Sequence, residues 1–256
     1  SQLGYQEYMG RFEYNNDKHF DKTWGILDEY FNPWTARQLT KLKAPFMANL
    51  FTLSSHHPYF VPEKWRSVVK KGSHPIAKSI HYGDISLRKF FEQAAKEPWF
   101  KKTLFVIVAD HCSSSAGKTE LPMDKYRIPA MIYSPEFVAP QKFSQVTSQI
   151  DVMPTVLGLL NFKYQSKFLG QDVFSKNFVP RAYIATYQDL GFIKDNYLTV
   201  ISPTKNIKQY QLVQKPNTNT TTEFNIYFTE NLLQDNPRKD LVDQTIATYQ
   251  STCFWL

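Results

Sequence analysis

Blocks of apolar positions recur along the chain with two different periods. Residues 28–41 form an amphipathic stretch with helical spacing, set in an aromatic and charged opening of about forty residues that Trp24-Gly25 and Pro33-Trp34 interrupt. Residues 44–53 then run apolar into the polar cluster Ser54-Ser55-His56-His57-Pro58, a pattern that predicts a buried strand delivering two histidines at its end. In 79–96, Ile80, Ile85, Leu87, Phe90, Phe91, Ala94 and Ala95 approximate a helical stripe, and Glu97-Pro98-Trp99 ends it. Residues 103–109 are apolar on both faces, as in a central parallel strand, and Asp110-His111 follow at once. A Ser-, Gly- and Lys-rich loop over 113–123 leads to another apolar strand, 128–133, with Pro129 near its start. Asp151 is placed to cap a helix with Pro154 in its first turn, ahead of the apolar residues 155–160. Beyond residue 180 the pattern shortens to β-like pieces at 182–186 and 197–201, a polar stretch at 215–222 and a closing helix over 234–255. No internal repeat is visible.

Strands alternating with helices predict an α/β fold, a mostly parallel sheet with helices on both faces and a small α+β part at the carboxyl end. Residues 1–200 are expected to form the main body and 201–256 an extension packed on it. In such sheets the ligand crevice lies at the carboxyl ends of the strands, where both His56-His57 and Asp110-His111 are expected. The two distant segments are therefore expected to meet at one pocket.

Composition narrows the class. At 256 residues, 42% hydrophobic and 21% charged, the chain has the balance of a folded domain rather than of a disordered or low-complexity one. No apolar run approaches the ~18 residues of a spanning helix, and no secretory leader precedes the first element. The formal charge of +7 comes from scattered lysines, with Lys70-Lys71 and Lys101-Lys102 as isolated doublets. That excludes a nucleic-acid footprint and leaves a bias toward anionic substrates or a lipid surface. Cys112 and Cys253 make no disulfide framework, although a single bridge between them stays open.

Asp110-His111 pairs a carboxylate with an imidazole, donors suited to Mn²⁺, Mg²⁺ or Zn²⁺; the alternative is a capped turn with an exposed ring. In extended backbone only one of His56 and His57 faces the crevice, leaving the other to pack. Lys118 and Arg127 flank the second segment as cations for an anionic group or as solvated surface charges. Cys112 reads as a buried, inert thiol and Asp151 as a cap rather than a ligand. Asn219-Thr220-Thr221 is a formal glycosylation sequon.

The runs 104–111 (LFVIVADH), 126–135 (YRIPAMIYSP) and 148–157 (SQIDVMPTVL) resemble the sulfatase branch of the alkaline phosphatase superfamily, over roughly residues 1–200. Within it, 52–59 (TLSSHHPY) looks like the lipoteichoic acid synthase and phosphoglycerol transferase subgroup, and Trp24-Gly25 resembles a segment near its glycerol-phosphate pocket. The resemblance implies that Asp110 and His111 bind a divalent metal, Mn²⁺ first, with Mg²⁺, Zn²⁺ or Ca²⁺ as alternatives. It also implies that His56, chosen over His57, contacts the substrate phosphate or its leaving group, with Trp24 as a further substrate contact; Lys118 and Arg127 join the substrate-binding candidates by their position beside Asp110-His111. The substrate it implies is an anionic lipid or glycan head group. The family's nucleophile, a Thr, Ser or formylglycine at a helix start, has no counterpart here, and the first residues resemble the middle of the family domain. The chain is thus expected to be the carboxyl-terminal part of a longer bacterial envelope enzyme, anchored through an amino-terminal membrane region with its catalytic domain outside the cytoplasm. By itself it is expected to bind metal weakly and not to turn over. A sulfatase and a non-catalytic α/β binding module are the competing readings.

Overall fold

Tyr82, Ile85, Phe90 and Ala94 recur every three to five residues along one helix face, and this buried stripe organises the first half of the molecule. The computed structural model describes residues 4–69, 72, 74–113, 121, 123–186, 188–214, 226–228 and 237–255. Its helices are α1 (Arg11–Tyr14), α2 (Asp28–Leu39), α3 (Ile76–Ala94), α4 (Val152–Leu159) and α5 (Lys239–Trp255). Its strands are β1 (Phe105–Val108), β2 (Ala130–Tyr133), β3 (Ala182–Ala185), β4 (Leu190–Lys194), β5 (Tyr197–Ile201), β6 (Ile207–Gln214) and β7 (Ile226–Phe228). They belong to two compact units, Ser1–Phe105 with Tyr133–Val138, and Val106–Ile132 with Ala139–Leu256.

In the first unit α2 and α3 pack together. Ala36 and Ala94, both fully buried, let apolar surface close around Phe90 and Phe105. A second cluster gathers Val61, Val69, Tyr82 and Ile85. Ser79 and Ser86 are also buried on α3, and their hydroxyls donate to the carbonyls of Ile76 and Tyr82 one turn back, so no polar atom is left dry there. α3 starts three residues ahead of its apolar stripe because Pro75, with its fixed φ, already suits a helix start.

The segment 44–53, expected as a buried strand, is not a strand in the structure: it is irregular, and Met47 and Phe51 are exposed. An apolar run becomes a strand only when a neighbour takes its backbone hydrogen bonds, and here the amide of Leu53 goes to a side chain instead. β1 and β2 do form where expected and pair in a two-stranded sheet. Val106 and Val108 nevertheless stay 37% exposed, so one face of β1 is open where cover on both was expected.

The second unit carries an antiparallel meander in the order β3-β4-β5-β6-β7, with α5 against β4 and β5. The two-residue turn Asp195-Asn196 joins β4 to β5 with φ of 51° and 63°, the mirror-image turn that suits strand twist. The core beneath it contains Leu121, Ala182, Ile184, Ile193 and Leu198. Gln209 ties α5 down by accepting from the Arg238 amide at 2.7 Å. The result is a mixed α/β molecule whose carboxyl-terminal part is α+β.

Candidate functional site

Two turns in the first unit carry the candidate residues Trp24 and His56. Asp21 Oδ1 accepts from the amides of Thr23, Trp24 and Gly25 at 2.8, 2.8 and 3.0 Å, an Asx arrangement that holds out Trp24, 53% exposed. Gly25 leaves room for a neighbour: a Cβ there would stand 2.7 Å from Leu53 Cδ1, on the segment that leads to His56, so the Leu53 side chain would have to shift. That segment turns twice, with the His56 amide donating to Leu53 O at 3.0 Å and the Tyr59 amide to His56 O at 2.8 Å. The histidines therefore sit on a double turn, and both are exposed rather than one being packed away.

The carbonyl of His57 collects two donors, Trp24 Nε1–H at 2.7 Å and His56 Nδ1 at 2.9 Å. A carbonyl oxygen only accepts, so His56 carries its proton on Nδ1 and keeps the Nε2 lone pair outward. The Trp24 and His56 rings meet edge to face, 4.3 Å between centroids. Trp24 and His56, proposed from sequence at different points of the chain, are thus neighbours. The indole N–H is already committed to protein, which leaves Trp24 its ring surface for any ligand.

The second unit carries the other candidate residues, Asp110 and His111. Past β1, Asp110 Oδ1 accepts from the His111 amide at 2.9 Å, and Asp110 Oδ2 lies 3.5 Å from His111 Nε2. His111 Nδ1 lies 2.9 Å from Cys112 O, which again puts the proton on Nδ1 and frees Nε2. Both side chains are open, 61% and 63% exposed. Two first donors of one ion with bonds of about 2.1 Å stand roughly 3 to 3.5 Å apart, and a metal-binding histidine characteristically spends its other N–H on a carbonyl. The pair therefore fits a divalent cation as two of its ligands. Among the described residues no cluster of three or more His, Cys, Asp or Glu could hold one.

Supports for this turn come from residues that sequence reasoning passed over. Gln149 Nε2 donates to the carbonyls of Ala109 and Asp110, 3.1 Å each. Gln149 opens the short 3-10 turn Gln149–Asp151, closed by reciprocal bonds between Ser148 and Asp151. Asp151 stands at the expected N-cap position of α4, but its carboxylate makes no capping bond to that helix: it forms a buried bidentate pair with Arg181, both bonds 2.7 Å, and accepts from the Gln171 amide. The Cys112 thiol donates to Arg127 O at 2.9 Å, and burial raises its pKa, consistent with an unreactive thiol. Arg127 is exposed, and Lys118 lies outside the described residues, as does the side chain of Cys253. Only one signal for Gln149 existed in sequence, its position in the Ser-x-x-Asp capping pattern.

Comparisons with known proteins bear on the family and the fold. The family model described as Sulfatase matches residues 1–162. The lipoteichoic acid synthase-like protein YvgJ of Bacillus subtilis is 25% identical over 198 residues, 69% of this chain and 32% of that protein. The lipoteichoic acid synthase of Staphylococcus aureus (strain USA300) is 23% identical over 234 residues, covering 77% of this chain and 34% of that protein. A protein in the alkaline phosphatase superfamily from Vibrio parahaemolyticus superposes with a TM-score of 0.79 at 22% identity, over 97% of this chain and 60% of that one. The chain spans about a third of the length of the curated relatives it matches. Its matched segment carries Trp24, His56, Asp110, His111 and Gln149, and the chain belongs to the sulfatase family, with the fold of the alkaline phosphatase superfamily.

Proposed function

We propose that this chain is part of a metal-dependent enzyme that transfers a phosphoryl-type group, phosphoglycerol transferase-like, on an anionic lipid or glycan head group. The observation that carries the reading is the preset state of both histidines: each spends Nδ1–H on a backbone carbonyl and keeps Nε2 available, His111 beside Asp110 Oδ2. Asp110 and His111 would hold the divalent ion, Mn²⁺ first, with Mg²⁺, Zn²⁺ or Ca²⁺ as alternatives. When bound, such an ion offsets negative charge on a transferring group. His56 Nε2 accepts or returns a proton at a substrate oxygen, and the Trp24 ring covers the approach beside it. Arg127, with Lys118, supplies positive charge for the anion. The relatives' names support a role in lipoteichoic acid synthesis, and on this reading the enzyme works in the cell envelope, extracytoplasmic and joined to a membrane through a region outside this chain. No helix among the described residues is long and apolar enough to cross a membrane.

Hydrolysis of sulfate esters is the second reading, favoured by the family description itself. The experiment titrates Mn²⁺ into the chain by calorimetry and into Asp110→Ala and His111→Ala. Binding is expected to be weak and to fall at least tenfold in each variant; binding unchanged in both would reject the assignment. Release of diacylglycerol from phosphatidylglycerol, set against hydrolysis of an aryl sulfate by the full-length protein, decides between the two chemistries.

A further inference from the structure

Asp28 is the first residue of α2, yet its carboxylate is not used to cap that helix. It is buried, 3% exposed, and reaches across 25 residues of sequence to the segment that carries His56. Oδ1 accepts from the Leu53 amide at 3.0 Å, and Oδ2 from the amides of Leu53 at 3.2 Å and Ser54 at 2.8 Å. Leu53 is also where the turn into His56 begins, since its carbonyl receives the His56 amide at 3.0 Å. From there the ring reaches the His57 carbonyl, which Trp24 holds from the other side.

We propose that Asp28 is the positioning residue of His56: its carboxylate pins the Leu53-Ser54 amides and so fixes the turn that aims His56 Nε2 outward. The proposal rests on the reading of His56 given above and adds to it a residue that touches neither substrate nor metal. Three features favour positioning over a purely structural role. Among the described residues, the irregular segment around Leu53 has no strand neighbour to hold it. The carboxylate takes two backbone amides, besides the Ser54 side chain, so it sets main-chain position. Leu53 closes the same arrangement from the apolar side, seated against Gly25 in the Trp24 turn.

The test is histidine-ring ¹⁵N NMR on the chain, with amide hydrogen exchange, for the wild type and Asp28→Asn. Asparagine keeps the size but offers one accepting oxygen, with an NH₂ where the second amide needs an acceptor. Loss of one charge-assisted bond predicts roughly 10- to 100-fold faster exchange at Leu53 and Ser54. His56 is expected to change from the Nδ1–H form to a tautomer mixture, while His111 keeps its signals. An unchanged His56 ring in a folded Asp28→Asn variant would overturn the proposal. Should that variant not fold, through-hydrogen-bond couplings from the Leu53 and Ser54 nitrogens to the Asp28 carboxyl carbon are measured in the wild type: their presence supports the anchor and their absence overturns it. Titration with sn-glycerol 3-phosphate keeps the two readings apart. A His56 that does not respond to it counts against the substrate role alone, because the tautomer reading needs no ligand.

Discussion

Glu29 is a fully buried carboxylate between two lysines, Lys64 at 2.8 Å and Lys89 at 3.0 Å, with the Tyr82 hydroxyl donating to it at 3.3 Å. Burial pushes its pKa up, but the hydrogen bonds from Lys64 and Lys89 outweigh that and hold it below the ordinary glutamate value. A carboxylate with a depressed folded pKa contributes stability that is complete above its unfolded pKa, near 4.5, and is lost as pH falls through the lower folded value. Glu29→Gln is therefore expected to lower stability at neutral pH and to flatten the acid limb of a Tm-against-pH curve; an unaltered limb would show that the lysines do not act through this carboxylate. Asp28, one residue before, works in the opposite sense. Burial raises it, only partly countered by the Leu53 and Ser54 amides, so its titration favours the fold at low pH and the benefit declines as pH rises through the raised value.

At the scale of elements, the 3-10 turn Gln149–Asp151 with α4 links a stability device to the candidate metal pair. Arg181 and Asp151 are buried and bidentate, and the Asp151 carboxylate also takes the Ser148 and Gln171 amides. Breaking such a pair by removing one partner strands a buried charge. Arg181→Ala should therefore cost about 3–5 kcal/mol in denaturant unfolding. Gly170 packs against the same turn: a Cβ there would lie 1.9 Å from the Ile150 carbonyl, so no side chain fits without displacing backbone. Gln149, at the start of this turn, holds Ala109 and Asp110 by their carbonyls. Gln149→Ala is expected to leave the fold intact but to weaken Mn²⁺ binding several-fold, because a ligand-bearing turn then loses two of its holds and keeps the Ala109 amide on the Pro129 carbonyl. Equal Mn²⁺ affinity in the variant would separate the clamp from the ligands.

For the whole molecule the +7 charge bears on association more than on folding. Binding to vesicles containing phosphatidylglycerol is expected to weaken steeply as salt rises above about 0.1 M, where the screening length drops to roughly 10 Å. Salt-independent binding would point to apolar contact, for which Phe12, Met47 and Phe51 are exposed.

Much of this was legible in residue order. Helical spacing in 79–96, the apolar runs before Asp110-His111 and up to Tyr133, and the Ser148 to Pro154 helix start depend on local periodicity and capping, which act within a few residues. β4 went unseen although Asp195-Asn196 marked its turn, since Gly191 breaks the alternation that would have shown it. The 44–53 strand failed for the converse reason, because apolar composition does not provide a hydrogen-bonding neighbour. Chemistry-bearing residue types likewise stood out in order along the chain: Trp24, His56, Asp110 and His111. Which nitrogen of each histidine is free depended on the fold of its turn onto the next carbonyl, and that Trp24 serves His56 and that Asp28 and Gln149 hold the two turns depended on contacts 25 to 40 positions apart. Such contacts exist only once apolar burial has closed the helices and sheets around them, and no local pattern encodes them.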